Sequence, residues 1–286
     1  MNYFLDTEFL EGPQKKRIFG IPYGETPNTI DLISIGIVSE DGREYYAISK
    51  DFNLKEAWNR YQLKDLRGLN FSYDIFGVPN GVYKYKKEYW IRENVLRPIF
   101  DELLKRFDAE SSKSLRMGIY IGTIVEKGFS YKVMKYLINR YGKTNKEISN
   151  EVVKFTYDDV PVQTIGTTTI RMSEESQLDL RRGYPTPVFY AYYADYDWVV
   201  FCWLFGKMID LPKGFPMYCN DLKQCLDEYC DSVNVVAKTI PGCPLVTAKS
   251  VKENNPKFPK QDKSKQHNAI EDARWNKELF NFLNKI

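Results

Sequence analysis

The 286-residue sequence contains one histidine, His267, and this scarcity excludes several kinds of functional site. Multi-histidine zinc sites and HExxH metalloproteases need at least two imidazoles, as do pH sensors that use clusters of histidines. An enzyme with this sequence that uses a histidine as its general base must therefore use His267.

The sequence also has few cysteines, no long apolar run and little net charge. The five cysteines are odd in number and none lies in a CxxC pair, which is typical of reduced thiols, so we expect a cytoplasmic protein. No run of about 18 apolar residues occurs, and two acids fall within the first eight positions, so we expect no membrane span and no signal peptide. The net charge of +3 does not by itself indicate a nucleic-acid partner.

The hydrophobic pattern predicts an α/β fold that opens with an antiparallel unit. With 43% hydrophobic and 28% charged residues, the composition is typical of globular proteins. An Asp41-Gly42 turn predicts that two of the strands form a hairpin. We predict strands over 2–9, 30–38, 43–49 and 187–193, and helices over 197–208, 220–231 and 269–283.

The middle of the sequence is harder to interpret. It shows no clean linker, repeat or low-complexity tract, so we predict one domain over 1–286 that carries a large insertion over 53–186. Three clusters of Pro or Gly predict a loop over 11–29. Within the insertion we predict helical pieces over 93–107 and 129–141 and strands over 152–157 and 162–171.

Asp6 and Glu8 are two carboxylates on an otherwise apolar strand. Residues i and i+2 of a strand share a face, so the two acids project side by side. Burial of two like charges is costly, and a divalent cation such as Mg²⁺ would neutralise them. An edge strand with both acids in water is the alternative, although the flanking aromatic and aliphatic residues disfavour it.

The start of the last predicted helix places the only histidine near a carboxylate. Asn268 is a good N-cap, and Glu271 lies where it would complete a capping box. His267 and Asp272 then occupy the N′ and N4 positions, which face each other in a hydrophobic staple. We therefore expect this polar pair to meet beside the helix N-terminus; a surface histidine near an ordinary helix carboxylate is the alternative.

A further carboxylate lies where the strand over 187–193 passes into a buried helix. We assign it to Asp197, which directly precedes the apolar run, in preference to Asp195. A simple helix cap is the alternative for this residue.

In combination, these motifs resemble the DEDDh (DnaQ-like) 3′–5′ exonuclease family. They occur in the family's order: Asp6-x-Glu8, then an aromatic residue before Asp197, then His267-x₄-Asp272. The resemblance covers about residues 1–50 and 186–286, and the stretches 3–9, 33–38 and 40–46 look most like small stand-alone bacterial 3′–5′ exoribonucleases. The chain departs from the family at Trp198 and at Tyr193, where many members have Asn.

The resemblance implies an RNase H-like α/β fold, with a mixed central sheet flanked by helices, and a mechanism that uses two metal ions. Asp6, Glu8, Asp197 and Asp272 would hold two Mg²⁺ or Mn²⁺ ions, and His267 would be the general base. The products would be nucleoside 5′-monophosphates, cut from single-stranded RNA or an RNA 3′ end, with DNA as an open alternative. Analogy with relatives also allows a homodimer.

Two segments are candidates for binding the nucleic acid. Residues 252–266 carry five lysines against two acids and run up to His267, so they predict a basic loop or, alternatively, an ordinary solvated one. We assign nucleic-acid contacts to Lys263 and Lys265 in this segment, and to Thr7 and Phe9 beside Glu8. Residues 82–92 alternate basic and aromatic side chains, which favours an amphipathic element over a base-stacking surface.

Two alternatives to an exoribonuclease remain. A DNA exonuclease of the same family differs mainly in its contacts to the 2′-hydroxyl, which the sequence does not reveal. A non-catalytic module that only binds nucleic acid is disfavoured because all four carboxylates and the histidine are present.

Overall fold

A computed structural model describes residues 1–19, 21–65, 85–111, 128–157, 186–235, 237–240 and 242–284. The described strands are β1 (Asn2–Gly12), β2 (Lys15–Ile18), β3 (Ile21–Glu25), β4 (Thr29–Ser39), β5 (Glu44–Ile48), β6 (Gln62–Asp65), β7 (Tyr85–Glu88), β8 (Val188–Ala191) and β9 (Asn220–Asp221). The described α-helices are α1 (Leu54–Asn59), α2 (Arg97–Ser111), α3 (Tyr131–Tyr141), α4 (Asn145–Tyr157), α5 (Ala194–Trp203), α6 (Leu222–Val233), α7 (Ala248–Asn254) and α8 (Ala269–Leu283). The α/β class is confirmed.

A mixed five-stranded sheet lies at the centre, in the order β5-β4-β1-β8-β9. The central strand β1 pairs antiparallel with β4 and parallel with β8, and β8 pairs parallel with β9. The turn between β4 and β5 is the predicted hairpin, with Gly42 at φ +94°. This positive φ explains why glycine occupies the turn.

The two faces of β1 pack against different helices because its side chains alternate. Tyr3 and Leu5 join a core with Phe201 of α5 and Val152 of α4. Phe4, on the opposite face, packs with Ile270 and Ala273 of α8. Asp6 and Glu8 share the face of Phe4, so the alternation directs both carboxylates toward α8.

Gly36 and Asn276 hold α8 close to the sheet. Gly36 pairs with Asp6 across β4 and β1, and a Cβ at this glycine would lie 2.2 Å from the carbonyl oxygen of Ala269. The buried Asn276 side chain donates to the carbonyl oxygen of Leu5 at 2.9 Å. The N-terminus of α8 therefore contacts the backbone of the strands beside the two acids.

The described chain forms two compact units. The first consists of residues 1–12, 28–52 and 138–286 and contains the central sheet with α4 to α8. The second consists of residues 13–27 and 53–137 and contains the antiparallel strand pairs β2–β3 and β6–β7 with α1 and α2. In the second unit Arg92 donates to the Trp58 carbonyl oxygen at 2.7 Å, and the Trp58 ring packs against Phe129.

Several predicted elements need correction. The loop predicted over 11–29 contains the end of β1 and the antiparallel pair β2–β3, because the backbone hydrogen bonds of a strand pair tolerate the prolines and glycines of this segment. The strand predicted over 152–157 is part of helix α4, whose buried residues Ile148, Val152 and Thr156 recur every four positions. The strand predicted over 162–171 lies outside the described residues.

The other helical predictions match described helices, and all but the last have shifted ends. Residues 93–107 correspond to a π-helical turn over Arg92–Leu96 followed by α2, and the helix predicted over 197–208 begins at Ala194 and ends at Trp203. The last helix has the predicted bounds. None of the described helices has both the length and the apolar composition needed to cross a membrane.

Candidate active site

The Asp6 and Glu8 carboxylates lie on β1 without hydrogen-bond donors. Glu8 is 9% exposed and Asp6 is partly buried, and neither accepts a hydrogen bond from any described residue. The Ser34 hydroxyl, on the residue paired with Glu8, is also buried without a partner in the described chain. Burial raises the pKa of both acids well above the usual range, and repulsion from Asp197 and Asp272 raises each pKa further.

Asp197 reaches this site from α5. Strand β8 pairs with β1 only over Asn2–Phe4, so the Thr7 backbone N–H has no partner in the sheet. It donates to Asp197 Oδ1 at 2.8 Å, and the Thr7 hydroxyl donates to the same oxygen at 2.6 Å. Asp195 is exposed, whereas Asp197 is buried. Burial raises the pKa of Asp197 to about 7 although the two bonds from Thr7 oppose the shift.

Asp272 and His267 meet at the start of α8, as their spacing predicts. Asn268 caps the helix by accepting the Ile270 N–H at 3.2 Å. The capping box predicted with Glu271 is wrong, because that carboxylate instead accepts from the Arg274 guanidinium at 2.6 Å.

The Asp272 carboxylate bridges the segment before the helix. Its Oδ2 accepts the His267 backbone N–H at 3.0 Å, and its Oδ1 accepts from the Gln261 side-chain amide. Burial raises the pKa of Asp272 to about 7, and these bonds oppose the shift. His267 has φ +62°, so the hydrogen bond holds a non-glycine residue in the left-handed region.

Glu8, His267 and Asp272 form a compact ligand cluster. Each offers one atom, and the three atoms lie within 4.8 Å of one another. Burial lowers the pKa of His267, so its imidazole is neutral at pH 7 and can accept a proton. Asp6 and Asp197 are not part of this three-residue group, but repulsion among the four carboxylates places them near it.

The four residues predicted to contact nucleic acid lie in different environments. Thr7 is 5% exposed and its hydroxyl is already bonded to Asp197, so its structural role is to position that carboxylate. Phe9 stacks on the half-exposed ring of Tyr196 at 5.7 Å. Lys263 and Lys265 are exposed in the segment before α8, and Lys265 lies 3.4 Å from Glu271.

The sequence interpretation missed three residues that build the site. Gly36 had a usable signal, since a glycine inside a strand pattern indicates close backbone approach. Asn276 had none, because a single amide on a helix does not reveal a carbonyl 271 positions away. Tyr193 was noted only as a departure from the family, yet it adopts φ +59° directly before α5.

Comparison with known proteins gives a short match. A stretch of 57 residues is 47% identical to a 3′-5′ exoribonuclease of Mycobacterium tuberculosis strain ATCC 25618 / H37Rv, and equally to one of strain CDC 1551 / Oshkosh. The match covers 20% of this chain and 26% of each relative, so the chain spans about a quarter of the length of the curated relatives it matches. No protein-family model matches the chain. Over this stretch the chain is similar to a 3′-5′ exoribonuclease, which supports membership of an exonuclease family.

Proposed function

We propose that this chain is a metal-dependent 3′–5′ exoribonuclease of the DEDDh type, with an RNase H-like fold. The observation that carries the proposal is the pair of the partly buried Asp6 and the buried Glu8, whose carboxylates accept no hydrogen bond in the described chain and are repelled by two further carboxylates. The partial similarity to a named 3′-5′ exoribonuclease supports the same activity.

The chemistry of the donors favours divalent cations. Four carboxylates at one site repel each other, and a buried charge needs a partner of opposite sign. Carboxylate oxygens are the ligands that Mg²⁺ and Mn²⁺ prefer. Asp6, Glu8, Asp197 and Asp272 would hold two such ions. When bound, they would stabilise the attacking and leaving oxygens of an in-line phosphoryl displacement.

His267 would act as the general base. Its neutral imidazole would take a proton from the attacking water as the water oxygen bonds to phosphorus and the O3′ of the preceding nucleotide leaves. The bond from its backbone N–H to Asp272 positions the residue beside the carboxylates. The product would be a nucleoside 5′-monophosphate.

The surroundings suit a single-stranded 3′ end. The stacked rings of Phe9 and Tyr196 lie on residues adjacent to Glu8 and Asp197, and the half-exposed Tyr196 ring can stack on an unpaired base. Lys263 and Lys265 would contact phosphates from the basic segment. All five cysteines are free, which fits the cytoplasm that we propose as the location.

The test is digestion of a 5′-labelled RNA by the purified chain with Mn²⁺. We expect stepwise shortening from the 3′ end, with 5′-monophosphates as products. Asp197→Asn should abolish the reaction, whereas Asp195→Asn, which removes the same charge from an exposed position on the same helix, should leave it intact. Equal activity of the two variants would refute the assignment of the site.

The same assay separates the alternatives. A matched DNA strand tests whether the substrate is RNA, because a contact to the 2′-hydroxyl makes RNA the faster substrate. Tight binding of RNA with no shortening at any Mn²⁺ concentration would instead indicate a binding module.

A further inference from the structure

Lys252 of α7 lies over two aromatic rings without a carboxylate partner. Its Nζ is 5.1 Å from the ring centroid of Tyr192 and 5.5 Å from that of Trp275, and these rings meet edge to face. In the described chain Lys252 forms no ion pair. By contrast, Lys249 on the same helix lies 3.9 Å from Glu253. The Lys252 charge is therefore positioned but not neutralised.

A second lysine, Lys223, lies near Lys252 but already has a carboxylate partner. Burial lowers the pKa of Lys252, and the nearby Lys223 lowers it further. Lys223 itself is paired with Asp227 on α6. Because Lys252 has no such partner, an incoming anion would relieve the repulsion that it experiences.

The two rings under Lys252 belong to segments that also carry proposed site residues. Trp275 follows Asp272 by three residues on α8, which corresponds to about 4.5 Å along the helix axis. Tyr192 lies in the turn between β8 and α5, five residues before Asp197. The two rings that hold Lys252 thus belong to the segments that position two of the carboxylates.

Tyr193 provides an exposed ring next to this lysine. Its φ of +59° and ψ of +53° are unfavourable for an aromatic residue, and its N–H donates to Asp221 Oδ1 at 3.0 Å. The ring is 61% exposed and its centroid is 4.8 Å from that of Tyr192. It therefore lies no more than about 10 Å from the Lys252 nitrogen.

We propose that Lys252 and Tyr193 form a second nucleic-acid subsite, in which the lysine contacts a backbone phosphate and the ring stacks on an unpaired base upstream of the 3′-terminal nucleotide. The placing of the RNA 3′ end at the carboxylates, and so of this base upstream of it, rests on the proposed function. A phosphate would supply the anion that Lys252 lacks, and stacking on an exposed aromatic ring is independent of base sequence. The subsite would thus favour strands of several nucleotides over the shortest ones.

The test measures binding of a fluorescent five-nucleotide RNA to the Asp6→Asn variant, in which the strand should stay intact. Each phosphate contact of a single strand contributes about 0.7 to the slope of log K against log salt concentration. Lys252→Gln should lower this slope by about 0.7, and Lys252→Arg should preserve it. Lys249→Gln removes the same charge from the same helix and should leave the slope unchanged. Equal slopes for Lys252→Gln and Lys249→Gln would overturn the phosphate contact.

Tyr193 is tested by the same measurement at one salt concentration. Tyr193→Ala should weaken binding by about 5-fold to 150-fold, the range expected for loss of one stacked base, whereas Tyr193→Phe should bind as the parent does. Equal affinities for the alanine and phenylalanine variants would overturn the stacking. Failure of the proposed function is seen separately, as unshortened RNA in digestions with the wild-type chain.

Discussion

Replacement of Asp6 by asparagine tests whether the carboxylates form a cluster that needs cations. The substitution removes one negative charge and keeps the side-chain size, and it breaks no hydrogen bond in the described chain. Without metal, we expect Asp6→Asn to be more stable than the wild type at pH 8. In the activity assay with metal, we expect the same variant to be inactive. This combination arises because the charges that would bind metal oppose folding when the metal is absent.

The magnitude follows from the shifted pKa values. Burial raises the pKa of Asp197 and of Asp272 from 3.8 to about 7, and a shift of about three units corresponds to about 4 kcal/mol per group. The pKa of Asp6 is raised in the same direction. Burial of the neutral amide has its own cost, which offsets about half of a gain of about 4 kcal/mol. We therefore expect Asp6→Asn to raise the free energy of unfolding by about 2 kcal/mol. That gain corresponds to an increase of about 4–8 °C in Tm.

The sign of the pH dependence is fixed by the direction of the shifts. A carboxyl whose pKa is higher in the folded than in the unfolded state costs nothing below about pH 4, where both states are protonated. For Asp197 and Asp272 the cost grows as the pH rises and is complete above about pH 7, where both groups are ionised in the folded state. The metal-free wild type should therefore lose stability from pH 4.5 to pH 8, and Asp6→Asn should lose less.

The assay is thermal unfolding with EDTA and with Mn²⁺, at pH 4.5 and pH 8. Mn²⁺ should raise the Tm of the wild type most at pH 8 and should raise that of Asp6→Asn less. Asp195→Asn, which removes an exposed carboxylate, is the matched control and should follow the wild type. If Asp6→Asn is no more stable than the wild type at pH 8 in EDTA, the idea of a mutually repelling buried cluster fails.

Three further predictions concern the surroundings of the cluster. Gly36→Ala should destabilise the protein by about 3 kcal/mol in urea unfolding, because its Cβ would lie 2.2 Å from the Ala269 carbonyl oxygen; an unchanged midpoint would contradict this close approach. Thr7→Val removes one hydrogen bond that lowers the pKa of Asp197, so half-maximal activity at pH 7 should need more Mn²⁺, and an unaltered Mn²⁺ titration would exclude the positioning role. His267→Ala should slow RNA digestion by about 10²–10⁴-fold yet keep the stabilisation by Mn²⁺, and a rate near that of the wild type would exclude its role as the base.

Some of the fold could be predicted because its signals are local. The period of two along a strand puts Asp6 and Glu8 on one face, and the N-cap at Asn268 sets the start of α8. Local signals failed where the residue composition indicated one structure and strand pairing produced another. The prolines and glycines of 11–29 predicted a loop, whereas the segment contains the antiparallel pair β2–β3. The apolar residues over 152–157 predicted a strand, but packing with Ile148 made them the buried face of a helix.

The candidate site, like the fold, was predictable only in part. The sequence by itself determined which residue types were available: two acids in D-x-E spacing, one histidine and an Asp five positions after it. The sequence favoured Asp197 over Asp195 only by its place before the apolar run; the tertiary structure alone gave that carboxylate its partner, a Thr7 N–H that has no strand partner beyond the end of β8. Contacts between residues 190 positions apart arise from packing, and packing leaves no periodic trace in the sequence.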